Sequence, residues 1–523
     1  MERTRLNVRC FELPSELVMS FISTGSFSTN RYRISISRAF RVFTVTPVFF
    51  TLALGCAFQS GVLAQDENLA NQPKVVDADK AKKDADKIIA DLEAQIKKQR
   101  EDLELLKLFA SSLAEIERSY VQKVDRRRLV EAAIDGMLHD LDRYSDYVPP
   151  EELESFQTDI ESKYGGIGIR VVKRAEEKFI TVTTPILGSP SYKAGVQADT
   201  FIVKIDDTDA ENMTVAEAIE KIKGEIGSKV KVTFLDKKTG EEKLLEIPRA
   251  IVEVKTVLGD QRLSNDQWNY FLSRPEFKDE KIAYVRINSF GRQTVQELSR
   301  VVFSLKEKGM KGLILDLRFN PGGLLSAAID ICDLFVEKGL IVRTEGRNAR
   351  PQKWIAKKTG TLLGFPIAVI VNGRSASASE IVAACLKDSG RAVIVGQRTF
   401  GKGSVQNIVN LENGKSLMKL TTAAYFRPNG QNINRMPEHQ ENDIWGVRPS
   451  QGYEVPLDAD QQRSYFEYRQ NRDVIRKRGM MTEPQEKFED LQLQKAIEYI
   501  RKSVSDAEEL DNKKELDNKE VQK

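Results

Sequence analysis

The stretch Ala368-Val369-Ile370-Val371-Asn372-Gly373-Arg374-Ser375-Ala376-Ser377-Ala378-Ser379-Glu380-Ile381 runs from an apolar strand into a small-residue turn. A helix-forming run of Ile381, Val382, Ala384 and Cys385 begins there. A serine at such a turn is exposed to substrate, and the free N–H groups of a helix start can stabilise a developing oxyanion. The same residues also read as a serine-rich N-cap with Glu380 in the first turn, and the segment alone does not separate the two readings. A nucleophilic serine needs a base. The two histidines, His139 in a predicted helix and His439 in a polar, proline-flanked loop, lie in contexts that do not serve one.

Lysine can act instead where burial lowers its pKa enough to populate the neutral amine. Lys402 sits in Thr399-Phe400-Gly401-Lys402-Gly403-Ser404-Val405-Gln406, directly after the apolar run 392–395. Glycines on both sides permit close backbone approach, and Phe400 and Val405 offer an apolar wall, whereas a surface-turn lysine is the plainer alternative. Gly-Lys-Gly-Ser lacks the first glycine of a phosphate loop at the required spacing. A third segment, Leu315-Asp316-Leu317-Arg318-Phe319-Asn320-Pro321-Gly322-Gly323-Leu324-Leu325, ends a strand in a Pro-Gly-Gly turn before a helix. Ligands bind at such strand ends in open α/β sheets, and the turn's N–H groups can supply a second oxyanion donor.

Together these segments resemble the tail-specific, or C-terminal processing, peptidases, which are Ser–Lys serine proteases with an embedded PDZ domain. The resemblance covers about Leu108 to Arg501 and rests on Asp-Leu-Arg-x-Asn-Pro-Gly-Gly, Ser-Ala-Ser-Ala-Ser-Glu and Thr-Phe-Gly-Lys-Gly-Ser-Val-Gln. It implies Ser377 as nucleophile, with Ser375 and Ser379 as competing serines, and Lys402, 25 residues on, as base. It further implies that Gln406 positions the lysine and that the N–H groups of Gly323 and Ala378 form the oxyanion hole. No metal or organic cofactor is implied. Tyr164-Gly165-Gly166-Ile167-Gly168 resembles the family's loop that receives a terminal carboxylate, and Ser189-Pro190-Ser191-Tyr192-Lys193-Ala194-Gly195-Val196 follows as in a PDZ domain. Ala198-Asp199 and Asp207 depart from the family's usual turn glycines. Trp445-Gly446-Val447-Arg448-Pro449-Ser450 resembles a family motif but ends in serine, and residues 435–445 look like an insertion of no evident role.

The elements that must position these residues form several units, since 523 residues exceed one ordinary domain. Short strands with turn signals fill 160–250, while 281–425 alternates apolar strands with helices, the rhythm of a layered α/β core. The expected architecture is multidomain α/β: a ClpP/crotonase-like catalytic core with an embedded PDZ-like domain and flanking helices. The expected divisions are a signal peptide at 1–64, an N-terminal helical region at 65–155, the PDZ-like domain at 160–250, the protease core at 251–455, and C-terminal helices with a charged tail at 456–523. The tail repeats Glu-Leu-Asp-Asn-Lys at 509–513 and 515–519 and reads as frayed.

Residues 1–64 carry a net +4 and the rest of the chain −1, so no concentrated basic face suggests a nucleic-acid partner. Arg31, Arg33, Arg38 and Arg41 precede an apolar run from Val42 to Phe58 and then Val62-Leu63-Ala64, the order of a secretory signal. A retained anchor, or a lipid on Cys56, are alternatives that would associate the protein with a membrane. Export to the periplasm or another extracytoplasmic space is therefore expected. Cys332 and Cys385 read as buried free thiols. Ile89, Leu92, Ile96, Leu103 and Leu106 keep one apolar seam on a helix, which suits either local packing or a homodimer through terminal helices. The expected partners are proteins bound by their C-terminal tails. The rival readings are an inactive secreted PDZ scaffold and a lipid-anchored helical adaptor.

Overall fold

A computed structural model of the chain describes residues 78–153, 156–157, 161, 163–277, 279–475 and 488–521. The expected signal segment, including Cys56, lies outside the described residues. The chain divides into two units, Met1–Leu103 and Glu104–Lys523. Helix α1 (Ala78–Ser119) begins in the first, with Ile89, Leu92 and Ile96 exposed. All elements after α1 belong to the second.

Asp125 caps α2 (Arg126–Leu141) by accepting from the Arg127 and Arg128 N–H groups. The chain then forms β1 (Asp146–Val148). The PDZ-like part starts with β2 (Lys163–Gly166). Its main sheet contains β3 (Ile169–Val172), β4 (Ile180–Pro185), β5 (Thr200–Ile205), and, beyond α3 (Val215–Ile222), β6 (Lys229–Asp236) and β7 (Glu242–Pro248). These pair antiparallel in the order β3-β4-β5-β6-β7. A capping box starts α3: Thr214 Oγ1 accepts the Glu217 N–H at 3.2 Å and Glu217 accepts the Thr214 N–H at 2.7 Å. Ile180, Val182, Ile202, Val230, Val232 and Ile247 fill the core under it. β8 (Ala250–Glu253) returns to pair with β2.

The larger α/β core follows. Its sheet runs β9 (Val257–Leu258), β10 (Ile282–Ile287), β11 (Gly312–Asp316), β14 (Ile367–Val371), β15 (Ala392–Gly396), and all pairs but the first are parallel. The crossovers contain α4 (Thr294–Glu307), α5 (Leu325–Phe335) and α6 (Ala378–Asp388). Strands buried on both faces must be apolar throughout, which is why β11, β14 and β15 lack alternation. Helices α4, α5 and α6 cover one face. Leu493, Ala496, Ile497 and Ile500 of the C-terminal helix cover the other.

A second sheet joins β12 (Leu340–Glu345), β13 (Gln352–Ile355), β16 (Ser404–Leu411) and β17 (Ser416–Phe426) with β1, in the order β1-β17-β12-β13 and with β16 also on β17. Helices α7 (Ala459–Asp473) and α8 (Leu491–Val521) complete the chain. The tail repeats, expected to fray, lie inside α8. Glu, Leu and Lys are strong helix formers, and the first half of α8 is anchored on the sheet, so the helix propagates through them.

Candidate active site

The turn after β14 separates its three serines. Ser375 and Ser379 are fully buried. Ser375 Oγ donates to the Leu317 carbonyl at 2.8 Å, and Ser379 Oγ donates to the Asn320 carbonyl at 3.0 Å. Both hydroxyls therefore tie the turn to the Pro-Gly-Gly turn after β11. Ser377 is partly exposed. Its backbone is held at φ 56°, ψ −115°, a conformation that costs on the order of 1–3 kcal/mol for a side chain other than glycine. The surroundings impose it. The Ala376 N–H donates to the Asn320 carbonyl at 3.0 Å, and the Asn320 amide donates to the Ile287 carbonyl at 2.7 Å.

Gly322 touches this turn directly: a Cβ there would lie 2.8 Å from the Ser377 Cβ and 2.8 Å from the Ala376 carbonyl oxygen. With its φ of 103°, the position accepts only glycine. The neighbouring Gly323 N–H and the Ala378 N–H, at the first position of α6, donate to no acceptor among the described residues. Two sequence-predicted donors thus lie beside the sequence-predicted nucleophile with their N–H groups unengaged.

Glu380 joins that turn to the lysine. Its carboxylate is fully buried and accepts the Ser377 N–H at 2.9 Å, the Lys402 N–H at 2.8 Å, the Gly401 N–H at 2.7 Å and the Thr399 hydroxyl at 2.6 Å. Burial raises the Glu380 carboxyl above its ordinary range, and these donors oppose the rise. The N-cap reading of the serine segment and its functional reading thus describe the same residues. A Ser-x-x-Glu capping box was the available signal for Glu380.

The Lys402 side chain is partly buried, and burial is the largest influence holding its amine below the ordinary lysine range, followed by the charge of Lys419. Asp142 and Glu380 oppose that shift, and Arg143 adds to it. The ring in contact with the amine is that of Tyr144, 4.6 Å from Nζ to the centroid. Sequence reasoning had offered Phe400 and Val405 for this wall. Tyr425 donates its hydroxyl to the Lys402 carbonyl and, at 3.3 Å, to that of Ser377. Gln406, in β16, donates its amide to the hydroxyls of Ser404 at 2.9 Å and Thr421 at 3.0 Å. Among the described residues Lys402 Nζ has no hydrogen bond to Ser377 or Gln406.

The 435–445 segment, with Asn434 just before it, braces the lysine turn. The Arg435 N–H donates to the Gly401 carbonyl at 2.8 Å, and Asn434 Oδ1 accepts the Gly403 N–H at 3.2 Å. The Trp445 ring lies against Arg398 at 3.7 Å and Arg435 at 4.4 Å, and Arg398 also donates to the Trp445 and Glu441 carbonyls at 3.0 and 2.6 Å. His439 accepts the Met436 N–H within this loop, and His139 lies exposed on α2, so neither histidine faces the serine.

Beneath the Pro-Gly-Gly turn, Arg318 is fully enclosed between Asp316 at 2.7 Å and Asp490 at 2.9 Å, with its guanidinium 4.0 Å from the Tyr465 ring. Burial would raise the Asp316 carboxyl, but the Arg318 charge and hydrogen bonds hold it below the ordinary aspartate range. Asp316, Arg318 and Tyr465 line a cavity of about 910 Å³ that opens between the PDZ-like part and the core. Tyr164, Gly166, Ile167 and Gly168 line it, as does the apolar face of α3. The Ile167 and Gly168 N–H groups donate to no acceptor among the described residues. Gly168, at φ 81°, lies so close to Ser189 that a Cβ would sit 2.3 Å from the serine's own. Gly165 instead pairs in the β2–β8 ladder, opposite Ile251. Of the turn departures, Asp199 takes a positive φ of 61°, and the next positive φ falls on Asp206 at 48°, one residue before Asp207.

Comparison with known proteins bears on the family. The family model for peptidase family S41 matches residues 281–444, a PDZ domain model matches residues 157–235, and the model of the activating protease CtpB N-terminal domain matches residues 68–151. The chain is 35% identical to the carboxy-terminal-processing protease of Bartonella bacilliformis over 76% of this chain and 89% of that one. It is 36% identical to the carboxy-terminal processing protease CtpA of Bacillus subtilis over 66% of this chain and 70% of that one. The chain belongs to the PDZ-containing serine proteases of peptidase family S41, the carboxy-terminal processing proteases.

Proposed function

We propose that this serine protease is exported, captures the C-terminal tail of a protein substrate in its PDZ-like groove, and cleaves the substrate with Ser377 and Lys402. One observation carries the catalytic part. Of the three serines in the turn, Ser377 is the one exposed, beside two unengaged N–H groups and tied through Glu380 to the backbone of Lys402. Neutral Lys402 takes the Ser377 proton as Oγ attacks the scissile carbonyl, the Gly323 and Ala378 N–H groups receive the oxyanion, and Lys402 returns the proton to the leaving amine. Water then repeats the sequence on the acyl-enzyme. Gln406 acts on the lysine side of the site through the hydroxyls of Ser404 and Thr421.

Tail capture is supported by the unengaged Ile167 and Gly168 N–H groups in the wall of a cavity that the apolar face of α3 also lines, a fit for a carboxylate with a nonpolar last side chain. Export rests on the basic, apolar and small-residue order of residues 1–64, with membrane association the alternative outcome of the same segment. A homodimer through α1 is supported by its exposed apolar seam. The test is hydrolysis of an unfolded reporter with a free or amidated apolar tail. Ser377→Ala should cut kcat on the order of 10⁶-fold with the fold retained, and Lys402→Arg should be inert because a guanidinium stays charged. Turnover by either variant would sink the pair, and equal cleavage of the amidated tail would sink carboxylate capture.

A further inference from the structure

The Tyr144 ring is the partner of the Lys402 amine among the described residues. It comes from the Asp142–Ser145 turn between α2 and β1, far in sequence from the rest of the site. That turn is firmly held. The Asp142 carboxylate accepts the Tyr144 N–H at 2.7 Å, the Ser145 N–H at 2.8 Å and the Ser145 hydroxyl at 2.9 Å. The Ser145 hydroxyl accepts the Thr421 N–H of β17 at 3.1 Å, and Thr421 receives the Gln406 amide. The Tyr144 hydroxyl is buried without a hydrogen-bond partner among the described residues, a costly arrangement that packing by a ring does not require.

We propose that Tyr144 is a positioning residue for the base: its ring holds the Lys402 ammonium in the substrate-free protease, and the lysine leaves it for Ser377 when substrate binds. The inference rests on the reading of Lys402 as base. The electron-rich face of the ring favours the charged amine, so the contact keeps the lysine protonated and off the serine. The other charged groups acting on the amine are Lys419 of β17 and Arg143, which disfavour its charge, and Asp142 and Glu380, which favour it. Arg143 also lies over the Tyr144 ring, at 4.9 Å, and over Phe400, at 5.1 Å. Tyr425 holds the lysine backbone from beneath, so the side chain can swing while its root stays fixed.

The test is the pH dependence of reporter cleavage by the full chain. The rise of kcat/KM with pH reports the free enzyme, and that of kcat the substrate complex. Tyr144→Leu should move the kcat/KM midpoint to lower pH by about 0.4–1.5 units, the range of a cation–π contact, and leave the kcat midpoint in place. Tyr144→Phe keeps the ring and should keep the wild-type midpoint. Tyr144→Trp should move it to higher pH, and it carries the test if circular dichroism shows Tyr144→Leu unfolded. Unmoved midpoints in both the Leu and Trp variants, or equal shifts in kcat/KM and kcat, overturn the inference. Turnover by Lys402→Arg would instead remove the base assignment beneath it, whereas an inert Lys402→Arg beside an unmoved Tyr144 series removes only the role of Tyr144.

Discussion

Two buried carboxylates, Asp316 at the end of β11 and Glu380 in the first turn of α6, are satisfied in opposite ways. Asp316 faces a guanidinium, and Arg318 in turn bridges it to Asp490 and so to the C-terminal helix. Glu380 contacts no cation among the described residues and is held by three backbone N–H groups and a hydroxyl. An ion pair fixes a charge and joins elements. A carboxylate wrapped by backbone donors fixes where those backbones lie, and here two of them are Ser377 and Lys402. The first device serves stability and, under the proposed mechanism, the second serves the geometry of the reaction.

The largest expected effect tests the first device. Arg318→Met leaves Asp316 and Asp490 buried without their cation and should cost about 3–5 kcal/mol in urea unfolding, whereas a loss below about 1 kcal/mol would show the network to be dispensable. Glu380→Gln keeps the shape but loses the charge and one acceptor oxygen. It should lower kcat about 10²-fold through misplacement of the pair, with a stability loss of only about 1–2 kcal/mol. Equal damage to stability and to rate would erase the contrast.

A smaller effect sharpens the contrast through pH. Asp316, Asp260 and Asp473 are held below the ordinary aspartate range: burial opposes the shift in each, and arginine charges (from Arg318, from Arg472 and Arg469, and from Arg286 and Arg469 respectively) bring it about. Their contribution is present above an unfolded pKa of about 3.9 and is lost as pH falls through the folded values. Glu380 is raised, so its contribution is fully present below about 4.3 and is lost as pH rises through its folded value. Urea midpoints should therefore drop steeply in acid for both wild type and Glu380→Gln, while the gentle decline above pH 4.3 should vanish in the variant. The smallest effect belongs to the brace: Trp445→Phe should cost under about 1.5 kcal/mol and slow turnover a few-fold. An undiminished rate would make the 435–445 loop a bystander.

The sequence was most legible where function depends on contiguous residues. The serine turn, the lysine turn and the Pro-Gly-Gly turn each sit at the end of an apolar strand, and parallel pairing brings those ends together. The choice among Ser375, Ser377 and Ser379 was not readable from spacing, because it depends on which hydroxyls find carbonyls across the turn. Tyr144 was out of reach for a different reason. Its segment leads into β1, whose pairing with β17 is set by a partner far along the chain. The 435–445 loop was equally opaque: Trp445 meets Arg435 of the same loop and Arg398, which is distant in sequence, only in the folded chain.

By itself the sequence determined the alternation of buried strands and helices, the glycines that close approach demands, and the types of group available for acyl transfer, because periodicity, turn chemistry and side-chain chemistry are local properties. Only the tertiary structure decided which serine is open, that one glutamate accepts the backbone N–H groups of both Ser377 and Lys402, and that the Tyr144 ring faces the lysine amine. Those outcomes depend on long-range pairing and burial, which place groups distant in the chain within a few ångströms and change what each can do.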